Sequence, residues 1–184
     1  RSLRRPMMQR RSLLLTTLVL AACSAEKPKP AFKNIDITGA AYAKALSLPD
    51  ADGKIRTLAD FNGKVIVVFF GFAQCPDVCP STLAEIAAVR TQLGAAGVKV
   101  QPVFITVDPE RDTSEVLTGY LDHFFTDSLA FRTDDPAELA AAADAFGVQF
   151  EVAAHAPGDS YDVSHTAMTY VVDDSGTVVV EWPF

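Results

Sequence analysis

The run Val65-Ile-Val-Val-Phe-Phe70 constrains this chain more than any other segment, because six β-branched or aromatic residues follow one another with no polar residue among them. A half-exposed strand alternates apolar and polar residues. An unbroken run instead marks a strand covered on both faces, as in a parallel sheet with helices on each side. The flanking pattern agrees. Leu83, Ile86, Ala87, Val89, Arg90 and Leu93 recur at helical spacing, and Gly94 with Gly97 closes that helix. A second strand follows from Val98 to Val107. Asp108-Pro109-Glu110 then has the composition of an N-cap, first turn and acidic start, predicting a helix region to about Phe125.

Further on, Leu129-Ala-Phe131 reads as a short strand, Pro136 to Phe146 as an alanine-rich helix and Val148 to Val152 as another short strand. Met168 to Val172 and Thr177 to Glu181, joined by Asp-Asp-Ser-Gly, form a closing hairpin. At the other end, Leu46-Ser-Leu48 and Ile55 to Leu58 flank the turn chemistry of Pro49 to Gly53, predicting an N-terminal β-hairpin. The order of elements gives an α/β domain with a mixed central sheet flanked by helices.

The first 22 residues differ from the rest. They carry five arginines and no acid, and an apolar core from Ser12 to Ala22 leads to small residues before Cys23. This is the pattern of an export signal, and its core is about half the ~20 residues a membrane-spanning helix needs. Leu20-Ala-Ala-Cys23 resembles the lipobox of bacterial lipoproteins, which implies a lipidated Cys23 as the first residue of the mature chain. Acyl chains there would hold the protein at a membrane surface on the extracytoplasmic, oxidising side. Arg10-Arg11-Ser-Leu-Leu also fits a twin-arginine signal, so the export route stays open. Ser24 to Pro30 is polar and proline-bearing, as in an extended tether. The expected division is signal 1–23, tether 24–44 and folded domain 45–184. Beyond the leader the net charge is −12, which argues against nucleic acid as a partner.

Three cysteines cannot form a disulfide framework, so each needs its own explanation. Cys75 and Cys79 lie in Gly71-Phe-Ala-Gln-Cys-Pro-Asp-Val-Cys-Pro80, between the buried strand and the following helix. Sites in open α/β sheets form at the carboxyl ends of strands, and a helix N-terminus favours the thiolate that both redox chemistry and metal binding need. Four residues apart, the two sulfurs can meet one ion or each other. Pro80 would disrupt a regular helix begun at Pro76, so the Cys75–Cys79 segment is expected to be a loop or distorted turn. Of the three histidines, only His165 falls where chain order brings it near the cysteines. His155 in its loop and His123 on the second helix are expected to face solvent or pack. Spacing alone leaves His165 open between a ligand and a satisfied lone histidine.

Three motifs in order, Gly71 to Leu83, Phe104-Ile-Thr-Val-Asp-Pro-Glu-Arg-Asp-Thr113 and Tyr161-Asp-Val-Ser-His-Thr166, resemble the Sco/SenC family of copper chaperones from about Leu46 onward. The resemblance implies a thioredoxin-like fold. It makes Cys75, Cys79 and His165 ligands to copper, Cu(I) or Cu(II), with the binuclear copper centre of cytochrome c oxidase as recipient. Two thiolates and an imidazole suit Cu(I), and a three-coordinate site leaves room for exchange. Because an oxidising compartment would pair the two thiols, a thiol-disulfide reductase that keeps them reduced is an expected partner. Asp108 and Arg111 belong to the second motif, but a helix start accounts for them equally well. Asp77 reads as a loop-orienting or turn residue. The family's fold usually adds a helix after the closing hairpin, where this sequence stops at Phe184.

The main rival is an extracytoplasmic thiol-disulfide oxidoreductase or a redox or copper sensor, with Cys75 and Cys79 as the cycling pair. Three residues separate these cysteines, whereas such oxidoreductases have two, and Ser164-His165-Thr166 stands where they place a cis-proline. Thioredoxin-like peroxidases carry Thr or Ser where this chain has Phe72. A structural zinc site normally needs a fourth ligand, and no further Cys or His is placed to supply it.

Overall fold

The computed structural model describes residues 32–42 and 46–183. The leader, Cys23 and the first part of the expected tether lie outside the described residues. Along the chain run β1 (Ile35–Asp36), β2 (Ser47–Pro49), β3 (Ile55–Thr57), β4 (Val65–Gly71), α1 (Val78–Gln92), β5 (Val100–Thr106), α2 (Ser114–Leu121) and β6 (Leu129–Phe131). Then come α3 (Pro136–Phe146), β7 (Phe150–Val152), β8 (Val163–His165), β9 (Met168–Val172) and β10 (Val178–Pro183).

Six strands form one mixed sheet in the order β1-β10-β9-β4-β5-β6. β4 and β5 pair in parallel, from Val65 opposite Val100 to Gly71 opposite Thr106, and β6 continues the parallel side. β9 runs antiparallel on the other edge of β4 and is followed outward by β10 and β1. All seven residues of β5 are buried, as are all of β4 after Val65. The apolar run therefore builds the centre of the sheet, as its lack of alternation requires. β2 and β3 form the expected N-terminal hairpin, tied to β6 by a bridge between Asp50 and Phe131. Ile35 and Asp36, within the stretch 24–44, add the outermost strand by pairing with Glu181 and Val180.

Sequence and structure differ at the helix starts. The second helix begins at Ser114 rather than at Asp108, because Thr113 is its N-cap and accepts the Val116 amide. The Asp108 carboxylate is instead taken up by Arg111 and Tyr161, so Asp-Pro-Glu forms a loop with Asp108 buried and Glu110 at the surface. This helix also ends at Leu121, which places His123 beyond it and exposed. α1 starts earlier than its apolar periodicity suggested. Cys75 to Asp77 is irregular, as expected, but Val78 and Cys79 are already helical. Pro80 is tolerated because it occupies the first turn, where backbone N–H groups have no intrahelical acceptor. Cys79, Thr82, Leu83 and Ile86 then form the buried stripe that seats α1 on the sheet. Strand β8 carries no apolar signature of its own and pairs only with β7 among the described residues, as a separate two-stranded sheet.

Candidate metal centre

The site forms where β4 ends and α1 begins. Cys75 lies in the connecting turn, half-buried, and Cys79 lies in the first helical turn with no exposed surface. Both are free thiols. The Cys79 backbone amide, one of the unpaired donors at the helix start, donates to Cys75 Sγ at 3.4 Å. From the opposite side β8 brings in His165, whose Nε2 lies 3.5 Å from Cys79 Sγ. The three ligand atoms of Cys75, Cys79 and His165 all lie within 4.8 Å of one another, and no other such cluster of ligating side chains occurs among the described residues. Metal–sulfur and metal–imidazole bonds of ~2.0–2.3 Å would separate three donors in a trigonal plane by ~3.7 Å, so little movement closes the ring.

The histidine is held in a suitable state. Its Nδ1 lies 3.1 Å from the Thr166 carbonyl, which only an N–H can satisfy, so Nε2 is left with its lone pair toward Cys79. Burial lowers the His165 pKa below the ordinary value, partly offset by that carbonyl, so the ring is neutral at pH 7. Phe69 and Phe72 meet the imidazole edge-on at 5.9 Å each and fix its plane. Burial also pushes the Cys79 thiol up, with the neighbouring Cys75 adding to the effect. Cys79 is therefore protonated without an ion, and a cation that binds there must displace the proton.

The supporting groups are less visible in the sequence. A Cβ on Gly71 would lie 2.8 Å from Cys79 Sγ, so only glycine at the end of β4 lets the sulfur sit against the strand. Asp112 is fully buried; it accepts from the Ala73 amide at 3.0 Å and the Thr106 hydroxyl at 2.6 Å. It thus ties the cysteine turn to the end of β5. Burial raises the Asp112 pKa, against the pull of those two bonds. Arg111 donates to Asp108 at 2.5 Å and to the Tyr161 carbonyl at 3.1 Å, and its guanidinium lies 3.8 Å from the Tyr161 ring centroid. Asp77 is the N-cap residue of α1, with no side-chain capping bond. His155 lies at the tip of the β7–β8 hairpin and His123 after α2, so neither joins the cluster. Period two along β4 places Phe69 and Gly71 on one face, a signal that could have marked both. Asp112 and Tyr161 lie in two of the motifs that carry the resemblance, but their roles rest on the Ala73 amide and on Asp108, 39 and 53 residues away in sequence.

Among known proteins, residues 36–183 match the SCO1/SenC family model. The chain is 31% identical over 163 residues to an SCO2-like protein of Rickettsia felis, covering 86% of this chain and 78% of that one. It is 37% identical over 131 residues to the human mitochondrial SCO2 homologue, covering 70% and 49% respectively. A solved structure of Bradyrhizobium japonicum ScoI with copper bound superposes with a TM-score of 0.69 at 37% identity, covering 77% of this chain and 89% of that one. With this match spanning the sheet, both cysteines and the histidine strand, the chain belongs to the SCO1/SenC family.

Proposed function

We propose that this protein binds one copper ion through Cys75, Cys79 and His165 and delivers it, as cargo, to the binuclear copper centre of cytochrome c oxidase during assembly. The observation that carries copper binding is the convergence of two thiols and a neutral imidazole at one partly buried point. That donor set is soft to borderline and suits Cu(I), while a site with three protein ligands leaves one side open to a recipient's ligands. The copper-bound ScoI of Bradyrhizobium japonicum, 37% identical, supports the choice of metal. The recipient follows from the family resemblance. Delivery is tested by mixing the copper-loaded protein with the metal-free copper-bearing oxidase subunit. The expected result is the recipient's binuclear-centre absorption at the expense of the donor's copper, and retention of all copper by the donor would refute it.

The two thiols must be reduced to bind, so a thiol-disulfide reductase partner and a Cys75–Cys79 disulfide in the oxidised protein belong to the same proposal. Cys23, lipidated, would anchor the domain on the extracytoplasmic face of a membrane, with the stretch before β1 as tether and the copper-binding domain running from β1 onward. Among the described residues no helix is long and apolar enough to cross a membrane. The anchor is tested by mass spectrometry of the membrane fraction: acyl additions on Cys23 are expected, and an unmodified soluble form would refute it.

A further inference from the structure

His165 sits at the end of a hairpin, β7–β8, that pairs with no strand of the main sheet among the described residues. The far end of that hairpin, residues 153–162, is gripped by the loop after β5. Tyr161 donates its hydroxyl to Asp108 Oδ1 at 2.7 Å. Its ring is sandwiched, with the Arg111 guanidinium 3.8 Å from its centroid on one side and the His155 imidazole stacked at 3.6 Å and 14° on the other. His155 in turn spans two acceptors: its Nδ1 lies 2.8 Å from the Ala153 carbonyl and its Nε2 3.0 Å from the Glu110 carboxylate. A neutral imidazole has a single N–H, and neither partner can donate. Both bonds therefore exist together only in the imidazolium form.

Given the copper site proposed above, we infer that His155 and Tyr161 are positioning residues for His165, and that protonation of His155 closes a clasp which holds β8 in place over the cysteines. The groups facing His155 favour the closed form. Glu110 and Asp108 present negative charge from the loop after β5, and Arg111 lies across the Tyr161 ring rather than against the imidazole. On its own loop, Asp159 is engaged by the Ala156 amide. The Ala153 carbonyl and then Glu110 raise the His155 pKa above the ordinary 6.5. The grip is thus complete on the acidic side of 6.5 and is lost as pH rises through that elevated value. His155 is ten residues from His165 and touches none of the ligands, so it acts only by fixing the hairpin.

The test uses the reduced protein twice, first without metal. Isotope-edited NMR from about pH 5.5 to about pH 9, a span bracketing a raised histidine, follows the His155 ring and the Val163, Ser164 and His165 amides. In the wild type these amides are expected to shift with the His155 midpoint. His155→Phe keeps a stacking ring without the bonds and should abolish that response. Glu110→Gln, whose amide can serve either charge state of His155, should hold the amides near their acidic-side positions throughout. Titration of His155 with no response in β8 would overturn the clasp. In the second arm, Cu(I) release to excess chelator is compared between wild type and His155→Phe, so that thiol ionisation, common to both, cancels. Release is expected to be slower from the wild type on the acidic side by roughly three- to tenfold, the range of one or two surface hydrogen bonds, with the difference vanishing on the alkaline side. Equal release at every pH would show that the clasp does not act on the site. A metal-free response in a protein that binds no copper would keep the clasp and refute the copper function.

Discussion

Gly71→Ala tests the packing of the metal centre without altering any ligand. Gly71 is buried and its φ is not among the positive ones, so backbone strain is not at issue. An added Cβ would lie 2.8 Å from Cys79 Sγ and 3.1 Å from both Phe69 Cε1 and Phe104 Cε2. The two rings are 1% exposed each and cannot yield, so the sulfur must move. Overpacking of this kind typically costs about 1–3 kcal/mol. For a domain of this size that corresponds to a Tm lower by roughly 2–12 °C. If returning the displaced sulfur to the metal position requires about 1–2 kcal/mol of that strain, Cu(I) affinity falls about 5- to 30-fold. The control is Gly119→Ala in α2, where nothing lies within 4 Å of the new methyl. There the helix should gain about 0.5–1 kcal/mol with copper binding unchanged. Thermal unfolding and a chelator competition on both variants decide the matter. If Gly71→Ala matched the control in Tm and affinity, Cys79 would not pack against the end of β4.

Three further outcomes follow from the same structure. His165→Ala should weaken copper binding while leaving oxidation of the Cys75–Cys79 pair intact, read as free-thiol loss on mild oxidation; unchanged affinity would remove His165 from the site. In the reduced protein, iodoacetamide at pH 7–8 should modify half-buried Cys75 roughly tenfold or more faster than the inaccessible, protonated Cys79, and peptide mapping that found equal rates would contradict the geometry. Asp50 is buried in the N-terminal hairpin; its pKa, pushed up by burial, is brought below the ordinary 3.8 by the Arg56 bond and the Lys54 and Asp52 amides. Asp50→Asn should therefore lose about 1–3 kcal/mol at pH 7, with the difference closing as pH falls through the lowered pKa, and a pH-independent difference in urea unfolding would refute it.

The sheet was legible in the sequence because its central strands are unbroken apolar runs, and α3 because Asp135, Pro136 and Gly147 punctuate both ends. Asp108-Pro109-Glu110 misled because its side-chain chemistry suits a helix cap, whereas in the fold the carboxylate is claimed by Arg111 and by Tyr161, 53 residues away. Pro80 misled in the opposite direction, since a proline three residues into a helix removes no hydrogen bond. The cysteine pair was evident from position, at a strand end facing a helix start. The role of His165 required the family resemblance, because β8 has no periodicity of its own and takes its place from β7 and from the Tyr161 clasp.

The most direct measurement is an anaerobic Cu(I) titration of the reduced protein against a competing chelator, run with Cys75→Ser, Cys79→Ser and His165→Ala in parallel. One tight equivalent in the wild type, lost in either cysteine variant and weakened in the histidine variant, is the expected result. Copper binding no tighter in the wild type than in the cysteine variants would contradict the account and leave the pair to thiol redox chemistry.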